Sequence, residues 1–234
     1  MEFNSWLPVP LNLTLSADDV HIFLAHLDVS ASQLQQFTQS LSSDEQDRAN
    51  RFYFEQHRHR YIAGRGILRT ILGRYLGMEP EKVQFTYSSR GKPMLAGLSQ
   101  ITFNLSHSEN LALYAVTRDR LLGVDIEYLR PMSDLDGLAK RFFLPTESAV
   151  LRSLPPKLQA ETFFRYWTCK EAYLKATGDG LSQLEQIEVS LTPGEPARLQ
   201  TSADWSLTEI VPADNYAAAV VVAGIGCHLQ YWQY

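Results

Sequence analysis

The sequence has little of what marks a secreted, membrane-spanning or nucleic-acid-binding protein. Only two cysteines, Cys169 and Cys227, occur in 234 residues. They lack metal-ligand spacing, and although a disulfide between them stays open, nothing suggests a disulfide-stapled secreted scaffold. The longest apolar run, Ala217 to Ile225, is far too short to span a bilayer as a helix. The start, Met1-Glu2-Phe3-Asn4-Ser5-Trp6, has no basic stretch leading into an apolar core and does not read as a signal peptide. Cations are not in excess. Lys and Arg number 21 against 26 Asp and Glu, and a net charge of −5 argues against bulk attraction to nucleic acid. Neither Gly-x-x-x-x-Gly-Lys-Ser/Thr nor Gly-x-Gly-x-x-Gly is present, so P-loop and dinucleotide folds have no support. What is left is an ordinary soluble composition, 45% hydrophobic, in a chain long enough for one large domain or two small ones. No membrane association is expected, and the cytoplasm is the default location.

What the sequence does contain is the same half twice. Residues 6–17 read as an extended arm. A strand at Val20 to Leu27 is followed by a capping box, Ser43-Asp44-Glu45-Gln46, opening a helix to about Phe54. His57 to Leu76 carries a helical apolar stripe through Tyr61, Leu68, Ile71, Leu72 and Tyr75. Strands follow at Val83 to Tyr87, Ile101 to Leu105 and Leu111 to Val116, with a turn at Arg90-Gly91-Lys92-Pro93. The order then restarts: a strand at Leu122 to Tyr128, a helix from Pro145, a long helix from Gln159 to Thr177, and strands at Ile187 to Leu191, Tyr216 to Ala223 and His228 to Trp232. Arg60-Tyr61-Ile62-Ala63-Gly64-Arg65 overlays Arg165-Tyr166-Trp167-Thr168-Cys169-Lys170, a gapless register that sets Gly73 on Gly178. A fixed offset across several elements signals duplication. The expected fold is α+β: a pseudodimer of two similar subdomains, 1–120 and 121–234, related by a pseudo-twofold axis with a ligand cleft between them.

The halves differ in chemistry. Gly123-Val124-Asp125-Ile126-Glu127 places two carboxylates on one face of a strand. Glu171 and Lys175 sit one turn apart on a helix. Three acids can hold a hard divalent cation, and the lysine can take an anionic oxygen, which suits Mg²⁺ and a pyrophosphate. In the overlay, Phe23 and Ala25 stand where the second half has Asp125 and Glu127, and Gly66 where it has Glu171. The first half instead carries Arg58, Arg60, Arg65, Arg69 and Arg74. Bland readings exist for each feature. Asp-x-Glu on a strand is usually a solvated sheet face. Glu171 and Lys175 alone would be a helical ion pair worth about 0.3–0.5 kcal/mol. His107 between two serines fits a capped turn as well as a ligand. His57 and His59 diverge on a helix and read as surface residues. Phe163, Trp167 and Tyr173 read as core, and Gly178 as a left-handed helix cap.

Taken together, Gly-Val-Asp-Ile-Glu at 123–127, Trp-x-x-Lys-Glu-x-x-x-Lys at 167–175 and Gly-x-Gly-Leu at 178–181 resemble the signature of 4'-phosphopantetheinyl transferases, of the longer, surfactin-synthetase-activating type. Gly91-Lys92-Pro93, Phe103-Asn104-Leu105-Ser106-His107-Ser108 and Lys140-Arg141-Phe142-Phe143 follow the family order, and the resemblance runs from about Leu41 to Leu191. It implies an enzyme that moves the phosphopantetheine arm of coenzyme A onto a serine of an apo acyl or peptidyl carrier protein and releases adenosine 3',5'-bisphosphate. By the same resemblance Asp125, Glu127 and Glu171 would hold Mg²⁺, with Glu171 also the candidate base. Lys175 would meet the pyrophosphate, and Lys92, Pro93, Ser106 and His107 would line the coenzyme A site. Two basic residues of some relatives fall on Glu45 and Arg48. Arg48 can serve an adenosine 3'-phosphate and Glu45 cannot, which turns attention to Arg60. The type implies a monomer. A Mg²⁺-dependent coenzyme A hydrolase and a non-catalytic binding module are the competing readings.

Overall fold

The computed structural model describes residues 4–191, 195–201 and 203–234; Met1 to Phe3, part of the leader reading above, lie outside them. The first half runs β1 (Leu7–Pro8), β2 (Asp19–His26), α1 (Ala31–Ser40), α2 (Ser43–Asn50), α3 (Glu55–Leu76), β3 (Phe85–Tyr87), β4 (Pro93–Leu95), β5 (Ile101–Ser108) and β6 (Leu111–Arg118). The second runs β7 (Leu122–Tyr128), α4 (Leu135–Phe142), α5 (Pro145–Ser153), α6 (Pro156–Thr177), β8 (Glu188–Ser190), β9 (Arg198–Gln200), β10 (Trp205–Ile210) and β11 (Tyr216–Ala223), and β12 (His228–Gln233) closes the chain. From β2 to β6 and from β7 to β11 the order is the same, and so is the sheet order: β5-β6-β2 in one half, β10-β11-β7 in the other. The fold is therefore α+β, a pseudodimer of two similar subdomains. No helix among the described residues is long and apolar enough to cross a membrane. Both cysteines are free.

Strand periodicity sorts the side chains into layers. On β2, Val20, Ile22 and Leu24 point into an apolar layer shared by both sheets, where Leu122, Val124 and Ile126 of β7 meet them. The alternate residues face helices. Phe23 and Ala25 join the core under α1 and α3, whereas Ala217, Ala219 and Val221 of β11 pack against α6. Asp125 and Glu127 fall on the helix-facing side of β7 by the same alternation.

The structure corrects one register. Gly77 and Gly178 are the equivalent C-caps of α3 and α6, both left-handed with φ 63° and 82°. The sequence overlay of Gly73 on Gly178 is one turn out. Gly73 attracts that match for another reason: a Cβ there would sit 2.6 Å from the Met78 carbonyl, so the chain turning back after α3 needs glycine. In the corrected register Thr70, not Gly66, is the counterpart of Glu171, Arg74 matches Lys175, and Arg69 matches Lys170. The strand overlay holds. His26 faces Leu111 at the start of β6 and Tyr128 faces Tyr216 at the start of β11, so Phe23 and Ala25 correspond to Asp125 and Glu127.

A buried ion pair recurs at matching positions. Glu45, at the third position of α2, accepts Ser42 N–H at 3.1 Å and takes Arg65 Nε and Arg69 Nε at 2.7 Å each. Arg69 also donates to the Pro80 and Val83 carbonyls at 3.0 and 2.8 Å. Glu147, at the third position of α5, accepts Leu144 N–H and Val189 N–H at 2.8 Å each and pairs with Lys170, which also donates to Leu184 O at 3.2 Å. Arg65 and Arg69 thus serve the interior, which removes two of the five cations that the sequence offered for anion binding.

Candidate active site

The site lies where β5 meets β7. These strands share no backbone ladder among the described residues. Polar side chains of β5, spaced two apart, join them instead. Asn104 Oδ1 accepts Val124 N–H at 2.9 Å, Ser106 donates to Asp125 Oδ1 at 2.8 Å, and Ser108 donates to Glu127 Oε2 at 3.1 Å while accepting Tyr128 N–H at 3.0 Å. Sequence reasoning picked out Ser106 but missed Asn104 and Ser108. Their signal was present in Phe103-Asn104-Leu105-Ser106-His107-Ser108, a polar face at period two.

Helix α6 reaches this seam because Gly123 has no side chain. A Cβ at Gly123 would lie 2.0 Å from Ala172 O and 2.4 Å from Ala176 N. The helix backbone therefore rests directly on β7 and delivers Glu171 and Lys175 beside Asp125. Lys175 Nζ donates to Asp125 Oδ1 at 2.7 Å and to Ser106 Oγ at 2.8 Å. Asp125 is 4% exposed, and its Oδ2 is buried without a partner. Burial, then the Asp125 charge, pushes the Glu171 carboxyl up to about 7. The same two causes raise Glu127, which has Arg130 at 3.7 Å. Among the described residues no three Asp, Glu, His or Cys side chains converge closely enough to cage a metal ion; Lys175 stands among the three acids.

The remaining candidates distribute around this centre. Lys92 donates to the carbonyls of Leu122 and Lys175, and burial lowers its pKa. Lys92 and Pro93, with Phe103, Leu121, Ala176 and Gly178, line a cavity of about 480 Å³ between the halves. His107 is exposed at the rim; crowding by protein atoms, then the Lys175 and Arg60 charges, hold it below the usual imidazole value. Arg60 donates to Asp28 at 2.9 and 3.1 Å and to Glu109 at 3.4 Å, acids that the sequence reading did not connect with it. Arg48 is exposed, its guanidinium 5.5 Å from the Tyr61 ring centre. Glu45 is buried in the ion pair described above. His57 is exposed and His59 pairs with Glu55 at 3.4 Å, as surface residues do.

Carboxylates thus crowd around an ammonium group at the seam of the duplicated α+β chain, flanked by hydroxyls, with a cavity nearby. Comparison with known proteins supplies the family. Residues 121–221 match the 4'-phosphopantetheinyl transferase superfamily, and residues 27–118 match the family described as 4'-phosphopantetheinyl transferase, N-terminal. The chain is 61% identical over 234 residues to the 4'-phosphopantetheinyl transferase HetI of Nostoc sp. (strain PCC 7120), covering 99% of each. It is 30% identical over 164 residues to 4'-phosphopantetheinyl transferase Sfp of Bacillus subtilis (strain 168), covering 70% of this chain and 72% of that one. A holo-(acyl-carrier-protein) synthase of Bacillus anthracis, solved in complex with CoA (3',5'-ADP), aligns with 46% of this chain and 98% of its own at 25% identity and a TM-score of 0.40. The chain belongs to the 4'-phosphopantetheinyl transferase family.

Proposed function

We propose that the chain transfers the 4'-phosphopantetheine arm of coenzyme A to a serine of an apo acyl or peptidyl carrier protein in a Mg²⁺-dependent reaction, as a cytoplasmic monomer. The observation that carries this reading is Asp125 beside Glu127, Glu171 and Lys175, with one carboxylate oxygen buried and unpaired. The donor set suits Mg²⁺: three carboxylates supply the hard oxygens it prefers, and the orphaned Oδ2 gains a partner on binding. Asp125, Glu127 and Glu171 would hold it. When bound, Mg²⁺ neutralises pyrophosphate charge and stabilises the leaving group.

The chain's own groups do the rest. The carrier serine oxygen forms a bond to the phosphorus that bears pantetheine, and the bond from that phosphorus to the bridging oxygen breaks. Adenosine 3',5'-bisphosphate leaves with the electron pair. Glu171 takes the serine proton as the new bond forms. Lys175 balances charge on the pyrophosphate. Lys92 and Pro93 offer the cavity wall for the nucleoside, and Arg60, Arg48, Ser106 and His107 are the groups for its phosphates, which fix orientation at a distance from the breaking bond. In this reading residues 1–120 act as the nucleotide-holding unit and 121–234 as the reacting unit. The test is incubation with coenzyme A, Mg²⁺ and several apo carriers, followed by mass spectrometry of each carrier. A mass gain of one phosphopantetheine on the carrier serine, lost when the divalent ion is chelated, is the expected result. Bisphosphate release with no carrier present would mark a hydrolase instead.

A further inference from the structure

Lys175 carries more meaning than a pyrophosphate contact. Its ammonium already has an acceptor inside the protein: Asp125 Oδ1 at 2.7 Å, with Ser106 Oγ at 2.8 Å. Ser106 in turn donates to the same Oδ1 at 2.8 Å, so that oxygen is engaged twice. The pair is unequal. Asp125 is fixed on a buried strand, its side chain 5% exposed, while Lys175 sits on a flexible four-carbon stem and is 29% exposed. Lys175 can leave and Asp125 cannot. Glu127 is held back on the far side by Ser108 and Arg130. Among the described residues no three acids are drawn together as a metal cage, and the ammonium is the cation that Asp125 holds. The corresponding place in the first half lacks such a contact: Arg74 is the counterpart of Lys175, and Phe23 that of Asp125.

Two cations on one buried carboxylate repel each other. A divalent ion taking the unpaired Asp125 Oδ2 faces the ammonium held on Oδ1 of the same group, and the ammonium gains by moving to another anion. The substrate's pyrophosphate is that anion. Building on the Mg²⁺ reading above, we infer that Lys175 is an internal counter-cation that weakens divalent binding at Asp125 until a pyrophosphate draws it away. Cation and coenzyme A then bind cooperatively, and the empty enzyme retains little metal. Coupling of this kind is reciprocal: whatever factor coenzyme A contributes to metal affinity, the metal contributes to coenzyme A affinity.

The test uses Mn²⁺ as probe and water-proton relaxation as readout, on the full chain without coenzyme A. Lys175→Met and Lys175→Gln, checked for native folding by near-ultraviolet circular dichroism, should each bind Mn²⁺ about tenfold more tightly than the parent, within the usual range of site coupling. Saturating coenzyme A should then raise Mn²⁺ affinity by a larger factor in the parent than in either variant, because the variants have no ammonium to release. A second measurement needs no variant. The Lys175 ammonium, shielded by Asp125 and Ser106, should give a slowly exchanging NMR signal that is lost or shifted on adding coenzyme A without metal. Equal or weaker Mn²⁺ binding by the folded variants, or a signal unmoved by coenzyme A, overturns the inference and leaves the Mg²⁺ reading standing. Absence of Mn²⁺ binding to every form, even with coenzyme A, overturns both.

Discussion

The two halves of this chain share a scaffold and differ in what fills it. In the second half, β7 presents Gly123, Asp125 and Glu127 toward α6, and the free edge of β7 meets β5 through polar side chains. In the first half the same strand positions hold His21, Phe23 and Ala25 toward α3. There the free edge of β2 is covered by β12, which pairs with it in parallel from His228 to Gln233. Trp232 packs against His21, ring centres 5.8 Å apart, and Tyr234 donates its N–H to Leu24 O at 2.9 Å and lies beside Thr70 and Arg74. One seam is polar and acidic; its counterpart is covered by aromatic rings from the end of β12 and the residue after it. The ion pairs of Glu45 and Glu147, present in both halves, belong to the scaffold. The acids, present in one, do not. Recurrence separates architecture from chemistry without appeal to relatives.

That separation can be broken most sharply at the acids. Asp125→Asn and Glu171→Gln should each reduce carrier modification at least ~10³-fold, the scale of several kcal/mol lost from the transition state. Their circular dichroism should match the parent, since Phe23 and Thr70 do without a carboxylate. Retained turnover in either would show that the asymmetry is not catalytic.

Next come the ion pairs. Lys170→Met leaves Glu147 buried with no cation and should cost about 3–5 kcal/mol in urea denaturation. Arg69→Met should cost less, because Arg65 remains on Glu45 at 2.7 Å. Equal losses would mean that Arg65 does not compensate for Arg69. Gly123→Ala should cost about 1–3 kcal/mol by overpacking. It should also cut turnover, since the new Cβ meets Ala172 O and moves Glu171 and Lys175 away from Asp125. A variant with parental stability and kcat would remove the role given to the close approach.

The smallest effect is a pH dependence confined to the first half. Burial lowers His21 below the usual imidazole value, Asp19 opposing in part. Its Nδ1 shares a 2.6 Å hydrogen bond with the Tyr75 hydroxyl, and its Nε2 is buried without a partner. The unfolded chain therefore takes up the proton first, so this contribution is present above about pH 6.5 and is lost as pH falls toward the lower folded value. Thermal midpoints between pH 7.5 and 5.5 should drop less for His21→Phe than for the parent. Parallel curves would show that His21 does not titrate on unfolding.

Much of this was legible in the sequence. The strand Leu122–Tyr128, the strand Tyr216–Ala223 and the long helices stand as their periodicities require, and Lys175 contacts Asp125 while Glu127 and Glu171 lie within reach of the Asp125 charge. The gaps have physical causes. Helix α1 is rich in glutamine and shows few apolar residues, although its Ser30 and Gln33 form a capping box. Strand β10 alternates only over Trp205-Ser206-Leu207-Thr208 before Glu209-Ile210 breaks the pattern, too short a signal to mark a strand by itself. Arg65 and Arg69 read as cations for an anion because nothing local reveals that Glu45, 20 and 24 residues earlier in the chain, is folded inward to meet them. The partner of β2 could not be read at all, since strand pairing across the full length of the chain leaves no local pattern.

The junctions between halves also differ in kind. On one flank β12 and β2 are laced by a backbone ladder six residues long. On the other, β5 and β7 touch through the side chains of Asn104, Ser106 and Ser108. A molecule built this way behaves like a bound book. The ladder is the spine, and the serine and asparagine contacts are the fore-edge. Asp125 sits at the fore-edge, so the acids lie on the flank that side chains, not backbone, hold together.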